Sequence, residues 1–261
     1  MSSNQGAGAV VTGAASGGRA IAAGLAADGF SVVIADLDEA NGRAAAEQIA
    51  AANQGGAIFQ RVDVTDRRSV SAAIDTCARQ FGSIKVMVNN AGFNKPEPFL
   101  DASEAIWHKI MDVNALGVMI GIQEAAKAMI ATGTKGKIIN TASIAGRTGY
   151  ADFAPYCASK FAVVALTHAG ARALAGNGIT VNAFAPGVVA TPLWEQLDKD
   201  LMAMGASSAP GEAMKNFCRS ILLGRVAKPD DVVGTVRFLA SPASDYMTGQ
   251  ILMIDGGMIL Q

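Results

Sequence analysis

The chain has 261 residues, 51% of them apolar and 16% charged, with a formal net charge of −1 at pH 7. So many apolar side chains supply a large buried core and exclude a disordered chain. A charge near zero, with Lys and Arg scattered, excludes a binder of nucleic-acid backbones, which needs a clustered basic surface.

In chain order, short apolar runs alternate with longer Ala-rich segments of helical period. Strands are expected at 9–11, 31–35, 57–62, 86–88, 137–140, 180–184 and 251–254. They are almost continuously apolar, as strands covered on both faces are. Helices are expected at 19–28, 41–53, 69–81, 107–132, 156–175 and 229–240. Regular alternation means βαβ units and a parallel, doubly wound sheet in a single domain spanning 1–261. The exception is the Met-containing stretch 191–221, broken by "GASSAPG". It follows a strand at the end of the sheet where ligands bind, so it is a candidate substrate lid. Cys77, Cys157 and Cys218 are odd in number and far apart, which fits a reducing cytoplasm and no disulfide framework. No secretory signal is expected at the N-terminus, and no apolar run approaches the ~20 residues of a membrane span. His108 and His168 are too few for a His-rich metal site.

Polar and glycine residues gather at the carboxyl ends of the strands. They are Thr12-Gly13, Asp36, Asp63, Asn89-Asn90-Ala91-Gly92, Ser143 and Pro186-Gly187. Together they outline one rim and suggest a binding crevice. Asp36 lies about 20 residues beyond the Gly-rich turn, where a dinucleotide fold sets the carboxylate that accepts from the adenosine ribose hydroxyls. A carboxylate there repels a 2′-phosphate. No basic residue follows it closely, and the turn carries Ser16, so NAD is favoured over NADP. Tyr156 and Lys160 are four apart after Pro155, which suits a first helical turn, so they share one helix face. An ammonium beside a phenol favours the phenolate, and the expectation is a Tyr156 pKa drawn from ~10 toward neutrality. Tyr156 then serves as acid and base, Ser143 holds the reacting oxygen, and Asn114 anchors a relay water.

These residues resemble the short-chain dehydrogenase/reductase family over nearly the whole chain. The resemblance covers "TGAASGG", Asp36, "DVT" at 63–65, "NNAG" at 89–92, Asn114, Ser143, Tyr156, Lys160, "PGVVATPL" at 186–193 and "IDGG" at 254–257. It implies a Rossmann fold of about seven parallel strands flanked by helices, in a homotetramer joined partly through helices 107–132 and 156–175. It also implies that Lys160 binds the nicotinamide ribose. Asp63 and Val64 would hold the adenine edge, Asn90 and Gly92 would pass under the adenosine ribose, and Val189 and Thr191 would contact the carboxamide. The full implied cofactor set is Gly13, Ser16, Gly17, Gly18, Asp36, Leu37, Asp63, Val64, Asn90, Gly92, Tyr156, Lys160, Pro186, Gly187, Val189 and Thr191.

The chain departs from the family pattern T-G-x-x-x-G-x-G. Gly17 and Gly18 are adjacent, so one residue is missing between the last two glycines. Deleting it turns the following helix by ~100° or forces the turn to absorb the change. The turn is expected to tighten, Ile21 and Leu25 to keep their core register, and cofactor binding to weaken. The C-terminal third resembles acetoin/diacetyl reductases (2,3-butanediol dehydrogenases) and polyol dehydrogenases. Ser143, Ile144, Asn94 and Trp194 are the expected substrate residues, with Arg147, Phe93 and Phe153 as further neighbours. Ile144 stands where the acetoin reductases tend to carry a polar residue. The expected reaction interconverts a secondary alcohol and a ketone, most simply a small diol and hydroxyketone. Alternatives are a polyol dehydrogenase, a 3-oxoacyl-thioester reductase, and a scaffold whose shortened turn no longer binds cofactor.

Overall fold

The computed structural model describes residues 6–15, 17–52 and 56–260, with 192 and 193 as backbone only. Among these residues one sheet holds β1 (Gly8–Thr12), β2 (Ser31–Asp36), β3 (Ala57–Arg61), β4 (Ile84–Asn89), β5 (Lys137–Thr141), β6 (Thr180–Pro186) and β7 (Ile251–Ile254). Every pairing is parallel, in the order β3-β2-β1-β4-β5-β6-β7. The winding reverses between β1 and β4, and that switch opens a crevice beyond the strands' carboxyl ends.

Helices α1 (Arg19–Ala27), α2 (Glu39–Ala52) and α9 (Pro229–Ala240) cover one face, and α3 (Arg67–Phe81), α5 (Gly117–Ala131) and α6 (Ala154–Leu174) cover the other. Successive strand residues divide between two cores. Val11, Val32, Ile34 and Val88 pack with Ile21, Leu25 and Leu239, whereas Val10, Val33 and Met87 pack with Ile74, Met129 and Val163. Burial on both faces explains why the strands read as unbroken apolar runs.

The expected helix 107–132 differs from the structure in two ways. It starts earlier, as α4 (Glu104–Met111), because Ser103 Oγ accepts a hydrogen bond from Ile106 N at 3.3 Å. A π turn at Asp112–Leu116 then separates α4 from α5, with Gly117 N–H reaching back to Asp112 O. Hydrophobic period does not register one extra residue in a turn. By length and composition alone the combined run Glu104–Ala131 would also pass as a membrane span. Here α5 buries Val118, Ile120, Ile122, Ala125, Ala126 and Met129 in the core. The stretch 191–221 folds as α7 (Pro192–Ala203) and α8 (Glu212–Cys218).

A buried polar chain fixes α6 to the sheet. Asn89 Nδ2 donates to Asn140 Oδ1 at 2.9 Å, Asn140 Nδ2 to Thr167 Oγ1 at 2.9 Å, and Thr167 Oγ1 to Val163 O at 2.8 Å. Each polar atom named is satisfied, so the chain specifies one seating of the helix that carries Tyr156 and Lys160.

Candidate active site

The rim is knitted together at the β1–β4 switch. Thr12 Oγ1 accepts from Asn90 N at 2.9 Å and from Ala91 N at 3.0 Å. Asn90 Nδ2 donates to Thr12 O at 3.1 Å and to Gly13 O at 3.3 Å. Gly13 has a φ of +66°, and a Cβ there would stand 2.7 Å from Ala91 Cα, so only glycine fits. Gly18 N donates to Gly13 O at 3.0 Å and closes the turn. Ile21 and Leu25 remain 3% and 0% exposed, so the turn alone absorbs the missing residue. Ser16 lies outside the described residues. Helix α1 has no side-chain cap and no acidic residue in its first turn. Its first N–H groups have no intrahelical acceptor, and Gly17 and Ile21 beside them line the cleft, a fitting seat for a pyrophosphate.

Asp36 stands at the end of β2. Its Oδ2 accepts from Ala15 N at 2.9 Å and its Oδ1 from Asp38 N at 3.0 Å. The carboxylate thus braces the shortened turn. Its remaining lone pairs are available to ribose hydroxyls. Asp63 Oδ1 is engaged in its own turn, accepting from Thr65 N at 2.9 Å and Thr65 Oγ1 at 2.7 Å. Asp36, Leu37, Asp63, Val64 and Gly18 do not line the main cleft. Gly13, Gly17, Asn90, Gly92, Tyr156, Lys160, Pro186, Gly187, Val189 and Thr191 do, around a volume of about 1230 Å³. Phe93 also faces this cleft, with Lys109 Nζ 4.2 Å from its ring centre.

A second, smaller chamber of about 540 Å³ adjoins the cleft. All four expected substrate residues, Asn94, Ser143, Ile144 and Trp194, line it, as does Phe153. Arg147 is exposed and lines neither cavity. Sequence reasoning missed Tyr150, Leu197 and Phe217, which complete the walls. Phe217 of α8 meets Trp194 of α7 edge-on at 5.5 Å and Tyr150 at 6.2 Å. The two short helices therefore roof the chamber, as expected of a lid segment. Ser143 and Tyr156 line both cavities, so the two spaces meet at the reacting pair.

The electrostatics correct one expectation. Burial pushes the Tyr156 phenol up to about 12, against the pull of its hydrogen bond with Ser143. Burial pushes the Lys160 ammonium down to about 8. Lys160 Nζ donates to Thr141 O at 2.8 Å and lies 5.5 Å from the centre of the Tyr156 ring. Desolvation of both charged forms outweighs their mutual attraction, so the phenol is held as a proton donor at neutral pH.

A stability test follows from Lys160. Below pH 8 it is charged in folded and unfolded chains alike, and the folded state bears the desolvation cost. Between about 8 and 10.5 the folded state sheds its proton first, so stability climbs with pH there. Lys160→Met is therefore expected to melt higher than the wild type at pH 6–7. The gain is at most roughly 3 kcal/mol, less about 1 kcal/mol for the lost bond to Thr141. Thermal melts across pH 6–10 check this, and the gap should narrow as the pH passes 8.

Asn114 is held by its side-chain amide. Its Oδ1 accepts from Phe93 N at 2.8 Å, and its Nδ2 donates to Phe93 O at 2.9 Å and to Ser159 Oγ at 3.0 Å. It is fully buried and lines neither cavity. Its amide is committed to holding the loop after β4 against α6, which leaves no side-chain donor for a relay water.

Comparison with known proteins agrees with this geometry. Residues 13–259 match the family model described as enoyl-(acyl carrier protein) reductase. The chain is 46% identical to an L-2,3-butanediol dehydrogenase of Corynebacterium glutamicum, over 96% of this chain and 98% of the relative. It is 39% identical to an (S)-acetoin-forming diacetyl reductase of Staphylococcus epidermidis, over 96% and 98%. It is 40% identical to a galactitol 2-dehydrogenase of Agrobacterium fabrum, over 95% and 96%. Among solved structures, a short-chain type dehydrogenase/reductase from Mycobacterium marinum superposes with a TM-score of 0.88 at 35% identity, covering 99% of this chain and 97% of that one.

Proposed function

The chain belongs to the short-chain dehydrogenase/reductase family, and we propose that it uses NAD(H) to interconvert a small vicinal diol and its hydroxyketone, of the 2,3-butanediol/acetoin kind. As a member of that family it is an oxidoreductase of alcohols and ketones that binds a nicotinamide cofactor. The observation that carries the proposal is the meeting of a long polar-rimmed cleft and a small, mostly apolar chamber at Ser143 and Tyr156. A bound nicotinamide supplies or accepts the hydride. The rest falls to the chain. Tyr156 gives its proton to the ketone oxygen in reduction and takes it back from the hydroxyl in oxidation. Ser143 holds that oxygen beside it. The Trp194–Phe217 roof excludes water.

Asp36 supports NAD: its carboxylate repels a 2′-phosphate, and the neighbouring Leu37 and Gly17 offer no compensating cation. The chamber's aromatic and aliphatic walls favour a small diol over a sugar alcohol, whose extra hydroxyls would be stranded. Nicotinamide fluorescence titrations test the cofactor. NADH is expected to bind at least ~30-fold more tightly than NADPH, since juxtaposed like charges cost several kcal/mol. Equal affinities would sink the NAD assignment, and a panel of diols, hydroxyketones and polyols tests the substrate. The free thiols of Cys77, Cys157 and Cys218 support a cytoplasmic setting. Half-exposed Trp107 and Phe161, on α4 and α6, support the homotetramer, whose mass light scattering would read.

A further inference from the structure

Asn94 lines the chamber and has no part in the proton transfer between Ser143, Tyr156 and the substrate. It follows β4 in the loop that crosses the mouth of the sheet, and it is 7% exposed. Its Oδ1 is buried and has no hydrogen-bond partner in the protein. Buried amide oxygens are almost always satisfied, because leaving one bare forfeits its hydration. Ile144, Phe153, Val188, Leu197 and Phe217 give the chamber apolar walls, and the polar tips of Tyr150 and Trp194, which also line it, do not bond Asn94 Oδ1.

The loop holds Asn94 firmly. Asn114 clamps both backbone polar groups of the preceding Phe93, at 2.8 and 2.9 Å. Three residues beyond Asn94, Glu97 N donates to Asp152 O at 3.0 Å, tying the loop to the segment before α6. An unpartnered acceptor on a residue fixed on both sides, which lines the cavity that also holds Ser143 and Tyr156, is a preorganised contact for a donor on a ligand once a small turn of the side chain bares it.

We propose that Asn94 Oδ1 accepts a hydrogen bond from the substrate hydroxyl that does not react, so that Asn94 selects hydroxyketones and diols over plain ketones. This rests on the proposed diol/hydroxyketone reading of the same chamber. It also accounts for a hydroxyl-bearing substrate without a polar residue at Ile144. A site built to bond a hydroxyl discriminates against the analogue that lacks it, because its own polar atom is then stranded.

The test compares kcat/KM for acetoin and for 2-butanone, which has the same carbon skeleton without the hydroxyl, with NADH as reductant. The wild type is expected to prefer acetoin by roughly 10- to 100-fold. In Asn94→Leu the ratio should fall to within about threefold, most of the loss appearing as a raised KM for acetoin. Asn94→Ala provides the same comparison should the leucine variant fold poorly, and NADH titration with a thermal melt verifies each protein. Acetoin turnover with an unchanged ratio in both variants overturns the Asn94 assignment alone. So does a wild type that reduces both ketones equally well. Failure of the wild type to turn over acetoin or butanediol, with NADH binding intact, overturns the substrate reading and this inference with it.

Discussion

Tyr156→Phe is expected to lower turnover by roughly 10³-fold or more while NADH affinity and melting temperature stay close to wild type. The substitution removes one oxygen and keeps the ring. Lys160 keeps its bond to Thr141 O, and Ser143 Oγ keeps the one it accepts from Ala145 N at 3.2 Å. What is lost is the one phenol that, among the described residues, cleft and chamber share, and with it the proton that a ketone must receive. General acid–base groups contribute about 10²–10⁴ in rate, and no other titratable side chain faces both cavities to replace this one. Steady-state acetoin reduction, with NADH titration as the control, decides the matter. Full turnover in the variant would assign the proton transfer to another group. A parallel loss of NADH binding would mean that the phenol had been a structural prop.

The adjacent glycines give the second large effect. A Cβ on Gly18 would stand 2.6 Å from Asn90 Nδ2, 2.9 Å from Gly13 O and 3.2 Å from Ala14 Cα. Asn90 has little freedom to retreat, because its Nδ2 holds the end of β1. Gly18→Ala must therefore push the start of α1 away from the rim. NADH affinity is expected to fall by about 100-fold and stability by about 1–3 kcal/mol. Gly17→Ala is the contrast. A Cβ there meets nothing within 4 Å and Gly17 lines the cleft, so this variant should melt like the wild type and still bind NADH poorly. If both variants bound NADH normally, the turn would not be the pyrophosphate seat.

The sheet was legible in the sequence because its strands are buried on both faces, which leaves short β-branched runs with abrupt polar ends. Those ends carried the chemistry: Gly13, Asn90, Ser143 and Gly187 all face the cleft as expected. Ile144 was legible because it directly follows Ser143, and Trp194 because it follows the proline that opens the lid segment. Tyr150 and Phe217 were not, since an aromatic residue in a loop or short helix carries no sign of which cavity it closes. The π turn around Asn114 was hidden because one inserted residue leaves the apolar period of α4 and α5 nearly intact. The direction of the Tyr156 shift was also out of reach. Spacing reveals that Lys160 is near, but the balance between attraction and desolvation depends on burial that only the folded chain defines.

The place of β1 in the sheet has a consequence for synthesis. It pairs with β2 on one side, Gly8 against Ser31, and with β4 on the other, Gly8 against Ile84. A chain growing from its N-terminus can complete the first pairing early, but the second must wait until β4 has been made. At ribosomal rates of about 5–20 residues per second this wait lasts several seconds. Throughout it, the unpaired N–H and C=O groups of β1 form an open strand edge of the kind that recruits other chains. An interior strand of the finished sheet is therefore one whose second edge the nascent protein must shield until β4 has been made.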